Sequence, residues 1–353
     1  MICSISFKNF RGFDSLEIEG LSRCNLISGR NNSGKSSILE GIFLYIDYQA
    51  ADSFLKINRF RDLQQSRLDV KVWEMVFKDE NPENMLSIIV KYDDGKNDIL
   101  SYTKSTSFLP ADPSMDPDVL NQFVHEAQTK YSLKYEFSSK DYYENGYLLI
   151  SQQGILKNTK TNLEGNVQKN MPHTQFINSK IVSDDPAIND WFSKMELEEK
   201  KQQIIDVLSV LEPQITDIRL VSINGIPSLY AKVRNRMIPL RLCGDGINRL
   251  LYILLSIYEN NNSIILIDEI ETGFHYSFYP KLWTAINKAA EETNCQVIAT
   301  THSMECIAGA YEGLKNTDRN FSYFRLEKGN GFSAKKFSFE MLDYAVNADM
   351  EVR

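Results

Sequence analysis

The chain has 353 residues, 42% of them hydrophobic and 24% charged, with a formal net charge of −8. Those values describe a globular protein with room for one large domain or a core carrying a substantial insert. The acidic balance argues against a surface coated in positive charge for non-specific nucleic-acid binding, although a local basic groove formed in an oligomer remains open. The five cysteines (Cys3, Cys24, Cys243, Cys295 and Cys306) are odd in number and never at C-x-x-C spacing. Neither a disulfide framework nor a zinc site is indicated, and a reducing cytoplasm is the expected compartment. The N-terminus lacks signal-peptide patterning, and apolar runs such as Leu250–Ile257 are too short to span a bilayer. No membrane attachment is expected.

In chain order, residues 2–7 alternate as a strand and residues 16–19 read as a second. Cys24–Ser28 is a short apolar strand that runs into a glycine-rich turn, Gly29 to Gly34. Ile38, Leu39, Ile42, Phe43 and Ile46 then recur at helical spacing. Between residues 50 and 213 the character changes. Leu86–Tyr92 and Ile99–Thr103 flank an Asp94-Gly95 turn, and Tyr131–Phe137 and Tyr147–Ser151 flank Asn145-Gly146. Both read as hairpins. Pro110, Pro113 and Pro117 exclude a helix around them. Residues 154–173 are polar and expected as a loop, Asp184-Asp185-Pro186 as an acidic helix start, and Leu197–Leu211 as an amphipathic helix.

A hairpin, Ile215–Ile223 and Ser228–Val233 about an Asn224-Gly225 turn, leads back to alternating elements. These are a helix at Asn248–Tyr258, a strand at Ser263–Ile267, a helix at Ser277–Glu291 and a strand at Gln296–Thr300. Strand-helix alternation predicts an α/β fold with a mostly parallel sheet. The expected layout is a split core, residues 1–50 and 228–353, with residues 51–227 as an inserted α+β lid.

Three stretches carry chemistry. Gly29-Arg30-Asn31-Asn32-Ser33-Gly34-Lys35-Ser36, followed by Ser37, matches the Walker A pattern G-x-x-x-x-G-K-S/T between a strand and a helix. Glycines let backbone N–H groups curl around phosphate oxygens, and the helix turns its partly positive end to the same anion. Lys35 is placed to reach the β- and γ-phosphates of ATP, and Ser36 to ligate Mg²⁺. Ser263 to Ile267 is an apolar strand that delivers Asp268 and Glu269, the first to Mg²⁺ and the second to the attacking water. Cys295 to Thr300 ends in Thr301-His302-Ser303, where His302 is a candidate contact for the γ-phosphate or the water.

With Phe7-Lys8-Asn9-Phe10-Arg11-Gly12-Phe13 and Gly244-Asp245-Gly246-Ile247-Asn248-Arg249 added, five stretches occur in an order that resembles the RecF/SMC/Rad50-like branch of ABC ATPases. Within it the chain is similar to the AAA_15/AAA_21-like ATPases of OLD-type and PARIS-type bacterial antiphage systems. The resemblance covers residues 1–48 and 212–353. It implies a P-loop NTPase fold of ABC type with an antiparallel subdomain, and Arg11 near the nucleotide. Gly244-Asp245-Gly246 becomes the signature that caps the γ-phosphate of ATP held by another subunit, and Glu271 to His275 the D-loop at a dimer interface.

Related signatures often carry serine where this chain has Gly244, so slow turnover is expected. Gln49 is the candidate for the Q-loop glutamine. The residues after His302 leave no room for the TOPRIM nuclease of OLD-type proteins. The resemblance thus predicts a homodimer or higher oligomer acting as the sensor ATPase of a defence complex. The effector, nuclease-like or a toxin, is expected on a separate subunit, with DNA or a phage protein as trigger. The alternative is a RecF-like repair ATPase that binds DNA directly. A transporter subunit and a nucleotide-binding scaffold without turnover fit the motifs less well.

Overall fold

The computed structural model describes residues 1–61, 73–105, 131–151, 154–161, 169–179, 187–317 and 320–348. It divides into two units. Met1–Leu21, Asn31–Met171 and Leu326–Lys335 form the first; Ser22–Arg30, Pro172–Arg325 and Lys336–Arg353 form the second.

The first unit is built on an antiparallel sheet. Strands β1 (Ile2–Phe10) and β2 (Phe13–Glu19) bury Ile5, Phe7, Phe10, Phe13, Leu16 and Ile18 and leave the intervening polar residues more exposed. After β3 (Cys24–Gly29) come helices α1 (Lys35–Ile46) and α2 (Ser53–Arg59). Strands β4 (Leu86–Tyr92), β5 (Asn97–Ser105), β6 (Tyr131–Ser139), β7 (Tyr142–Ser151) and β8 (Gly154–Thr161) then complete the sheet, in the order β2-β1-β4-β5-β6-β7-β8. Its core is aromatic and polar together. Tyr48 stacks on Phe137 with centroids 4.4 Å apart, and the buried carboxylate of Glu144 accepts from the hydroxyls of Tyr135 and Tyr142 at 2.7 and 2.5 Å.

The Leu86–Tyr92 hairpin forms as expected. The next one corrects the reading: its turn is Lys140-Asp141, and Asn145-Gly146 lies inside β7 opposite Glu136 and Tyr135. The longer pairing brings Glu144 in to the two tyrosine hydroxyls, and β6 and β7 are each also paired to an outer neighbour, which fixes register across the sheet. Residues 154–161, expected in a loop, are strand β8. The stretches around Pro110, Pro113 and Pro117, and around Asp184-Asp185-Pro186, lie outside the described residues.

In the second unit the strand order is β15-β3-β14-β13-β9, with β9 (Thr174–Ile177), β13 (Ile264–Ile267), β14 (Gln296–Thr300) and β15 (Phe321–Lys328). β3, β14, β13 and β9 run parallel, with Leu26 beside Ala299, Ala299 beside Ile267, and Ile267 beside Ile177. The continuous burial of β3, β13 and β14 is what a parallel sheet covered on both faces requires. The helices are α3 (Ala187–Leu197), α4 (Lys201–Leu211), α5 (Asp245–Glu259), α6 (Tyr279–Glu292) and α7 (Met304–Leu314). After β15 the chain turns back as β16 (Phe332–Phe337) and ends in α8 (Phe339–Asn347).

A small antiparallel sheet holds β10 (Ile215–Ile223), β11 (Ile226–Val233) and β12 (Arg236–Pro239). Its Asn224-Gly225 turn takes φ of 54° and 80°, as a two-residue hairpin turn of this composition does. The helix expected from Leu197 begins instead at Lys201, because Glu199, at φ 58°, breaks the chain between α3 and α4. Helix α7 is an element beyond those expected from the sequence. Ser303 caps it by accepting the Cys306 N–H at 3.0 Å.

Candidate functional site

The glycine-rich turn follows β3, and the chain passes from the second unit to the first between Arg30 and Asn31. Gly34 caps α1 at φ 90° and ψ 15°, a left-handed conformation that favours glycine, and the Phe13 ring would stand 2.6 Å from any Cβ placed there. Asn32 is also left-handed, at φ 62°. Lys35 opens the helix and is buried. Ser33 is buried as well, and its hydroxyl has no hydrogen-bond partner among the described residues. An orphaned hydroxyl in a glycine-rich turn at a helix start fits an anionic ligand such as a phosphate.

Arg11 and Ser37 are drawn into an ion-pair cluster on α1. The buried Glu40 carboxylate accepts from Arg11 Nε at 2.8 Å and from Arg61 Nε at 2.5 Å. Arg11 also donates to Asn58 Oδ1 and to the Met75 carbonyl, and Arg61 donates to Ser37 Oγ at 3.0 Å. Burial lowers the Arg11 pKa, Glu40 opposes that, and the second guanidinium adds to it. Gln49 donates to the Lys169 carbonyl at 3.1 Å.

In the second unit the C-terminal ends of β13 and β14 bring the acids and the histidine together. The Thr300 hydroxyl donates to Asp268 Oδ1 at 2.5 Å and accepts the Glu269 N–H at 3.0 Å. Glu269 sits at φ 48°, a conformation that costs a non-glycine residue roughly 1–2 kcal/mol. His302 Nε2 lies 3.8 Å from Glu269 Oε1. The His302 backbone N–H donates to Glu271 Oε1 at 2.7 Å. Glu269 and His302 are therefore side by side and partly solvent-accessible, as a pair acting on a ligand must be.

The Gly244-Asp245-Gly246 turn lies in the same unit. Gly244 takes φ 104° and ψ 155°, and Asp245 begins the 15-residue helix α5. Gly246 packs against the backbone of Gly273: a Cβ on Gly246 would stand 2.5 Å from the Gly273 carbonyl. Sequence reasoning missed Arg249, three residues on. It is fully buried, with Nη1 donating to the carbonyls of Asn178 and Ser179 at 3.2 and 2.9 Å. Its Nη2 donates to the carbonyls of Asp268 and Glu269, both at 2.9 Å. Burial pushes its pKa down, opposed by the nearby Glu271, Glu269 and Asp268. The available signal was an arginine among Ile247, Leu250 and Leu251 on a helix whose apolar face is buried.

Among the described residues no group of three or more His, Cys, Asp or Glu side chains is arranged to hold a metal by itself. A hard cation such as Mg²⁺ is commonly held by one or two protein oxygens together with substrate phosphates. Ser36 offers a hydroxyl oxygen in the first unit and Asp268 a carboxylate oxygen in the second.

The AAA_21 family model, described as an AAA domain, putative AbiEii toxin, type IV TA system, matches residues 24–308. The chain belongs to this family. The match begins at β3 and runs into α7, so it takes in the glycine-rich turn, Gly244–Gly246, Asp268-Glu269 and His302. The AAA_21 chain is also 25% identical over 336 residues to an ATP/GTP phosphatase of Helicobacter pylori, covering 87% of this chain and 86% of that one. A shorter likeness, 25% over 87 residues, joins it to the DNA replication and repair protein RecF of Clostridium acetobutylicum, over 21% of this chain and 24% of RecF. Among solved structures it resembles an SMC head bound to the C-terminal winged-helix domain of ScpA. The TM-score is 0.52 at 13% identity, over 96% of this chain and 98% of that one. The fold is thus the P-loop NTPase fold of SMC-head and ABC ATPase type, with a mostly parallel sheet and an antiparallel one. Among the described residues no helix is long and apolar enough to cross a membrane.

Proposed function

We propose that this AAA_21 chain binds and hydrolyses ATP between two protomers and acts as the regulatory ATPase of an antiviral defence complex whose effector is a separate nuclease-like or toxin subunit. The observation that carries the reading is the second glycine turn. Gly244 to Gly246 opens α5 and is packed on Gly273 of the stretch that follows Asp268 and Glu269. One chain therefore has two candidate anion cradles at helix starts, and a shared triphosphate between two copies uses both.

In this reading the backbone from Gly29 to Gly34, with Ser33, Ser36 and Ser37, holds the phosphates, and Lys35 neutralises the β- and γ-groups. Arg11 stands by the nucleotide as part of the Glu40 cluster. Ser36 and Asp268 hold Mg²⁺, which supplies charge neutralisation on the phosphates. Glu269 orients and deprotonates the attacking water, and His302 contacts the water or the γ-phosphate. Gly244, Asp245 and Gly246 of the neighbouring protomer close the site. Gly244 brings no hydroxyl to the γ-phosphate, so turnover is slow.

A switch from mostly open to mostly closed protomers needs about 5 kcal/mol of differential binding. Two ATP molecules bridged by several charge-assisted hydrogen bonds at roughly 1.5–3 kcal/mol each supply it. Residues 51–227 then act as the lid that reports ATP state to the effector, in the cytoplasm, on a DNA or phage-protein trigger. The names of the matched family, which include a putative toxin of a type IV TA system, and of the H. pylori phosphatase support this direction.

Lys35→Ala tests it: ATP binding and hydrolysis are lost in vitro, and phage protection and effector control are lost in cells. Protection that survives Lys35→Ala sinks the defence role. The RecF likeness favours a second reading, a repair ATPase that binds DNA directly. ATP-dependent retention of duplex DNA at about 0.2 M salt would put that reading first.

A further inference from the structure

Thr300 is the last residue of β14, fully buried, and three consecutive residues leaving β13 bond to it. Its hydroxyl proton goes to Asp268 Oδ1, its hydroxyl oxygen takes the Glu269 N–H, and its carbonyl accepts the Ile270 N–H at 3.0 Å. The hydroxyl is used as both donor and acceptor, on a carboxylate on one side and a left-handed peptide on the other. A backbone turned to φ 48° at Glu269 persists only where its surroundings hold it. The Arg249 guanidinium fixes the carbonyl side of the same two residues. The Thr300 hydroxyl fixes the N–H side and the plane of the Asp268 carboxylate.

We propose that Thr300 is a positioning residue for ATP hydrolysis: one hydroxyl sets the aim of both acids, Asp268 toward the metal and Glu269 toward water. The inference rests on the ATPase reading above. Outer partners that orient a metal-ligating or catalytic carboxylate commonly matter about 10- to 100-fold in metal affinity or activity. Thr300→Val keeps the shape and removes the hydroxyl, Thr300→Ala removes it with a different change of packing, and Thr300→Ser keeps it.

The experiment measures kcat and KM for MgATP, the affinity of the ATP-loaded protein for Mn²⁺ by electron paramagnetic resonance, and the melting temperature. The hydroxyl account expects Val and Ala to lose about 10- to 100-fold in kcat and in Mn²⁺ affinity, with the KM for ATP little changed and Ser close to wild type. Ser falling as far as Val makes the methyl packing responsible and overturns the inference. So does a folded Val or Ala variant with unchanged kcat and Mn²⁺ affinity. If Val unfolds, Ala against Ser decides in the same way. A wild-type protein that neither hydrolyses ATP nor binds Mn²⁺ with it fails the ATPase reading itself, a different outcome from a wild-type enzyme indifferent to Thr300.

Discussion

The Cα of Gly246 lies against the carbonyl of Gly273, so close that an added Cβ would stand 2.5 Å from the oxygen. The Gly244–Gly246 turn and the stretch from Glu271 to His275 are thus seated directly on each other. Gly273 is itself left-handed, at φ 86°, a conformation that favours glycine.

Gly246→Ala must therefore push the two stretches apart. The proposed function places both at the contact with the second protomer, where a misplacement of about 1 Å costs on the order of 100-fold in rate. The expected result is hydrolysis down by about that factor in a protein that still folds, destabilised by about 1–3 kcal/mol. Binding of a fluorescent ATP analogue at the Lys35 turn should be largely retained. A variant with wild-type turnover shows that the close approach is not required.

Arg249 joins α5 to the ends of β9 and β13 through carbonyls alone. Arg249→Met keeps the apolar stem and leaves those four acceptors without a charged donor. The expected loss of stability is about 3 kcal/mol or more, read from urea unfolding. Arg249→Lys keeps the charge but not the planar fork, and should recover only part of it. Equal stability of all three proteins would mean that the buried guanidinium is not a net tie.

The contrast between Arg249 and Lys35 shows where the sequence was legible. Lys35 sits in a motif whose strand, glycine turn and helix are contiguous, so local pattern alone placed it at the start of α1. The same holds for Asp268 and Glu269 after β13 and for His302 after β14. Arg249 works through the carbonyls of residues about 70 and 20 positions away, and no local pattern encodes which backbone a buried guanidinium meets. Thr300 was one more residue of an apolar strand until the two hydrogen bonds of its hydroxyl were placed. The second hairpin failed for a related reason. Asn145-Gly146 is a strong local turn signal, but register along β5, β6, β7 and β8 is set across the whole sheet, and Lys140-Asp141 turns the chain instead. Helix α7 does have a local signal, the capping serine Ser303, but that residue also belongs to the polar turn around His302 and reads as part of it.

Alkaline pH should weaken both units, the second through its buried thiols and the first, at higher pH, through its buried tyrosines. Burial, aided by Asp98 and Glu144, pushes the hydroxyls of Tyr45, Tyr48, Tyr92, Tyr102 and Tyr135 well above the usual tyrosine range, and Tyr142 up to about 12. Burial also pushes the Cys24 and Cys306 thiols of the second unit up to about 12. Below their ordinary pKa values both states keep these protons. Above about pH 8.5 for thiols and pH 10 for tyrosines the unfolded chain releases them and the folded chain does not, so stability falls as pH rises. Lys157 and Lys336, whose pKa values burial lowers, act in the opposite sense but are outnumbered. Urea midpoints between about pH 8 and pH 11 should fall steadily, and a flat or rising series contradicts this account.

The most direct measurement of the central claim is sedimentation velocity of Glu269→Gln with and without MgATP, beside the same variant carrying Lys35→Ala. Nucleotide held between protomers predicts that MgATP converts Glu269→Gln to a dimer or larger closed assembly and leaves the double variant as it was. Glu269→Gln that binds ATP with no change in sedimentation, and with the apo protein a monomer, would contradict it.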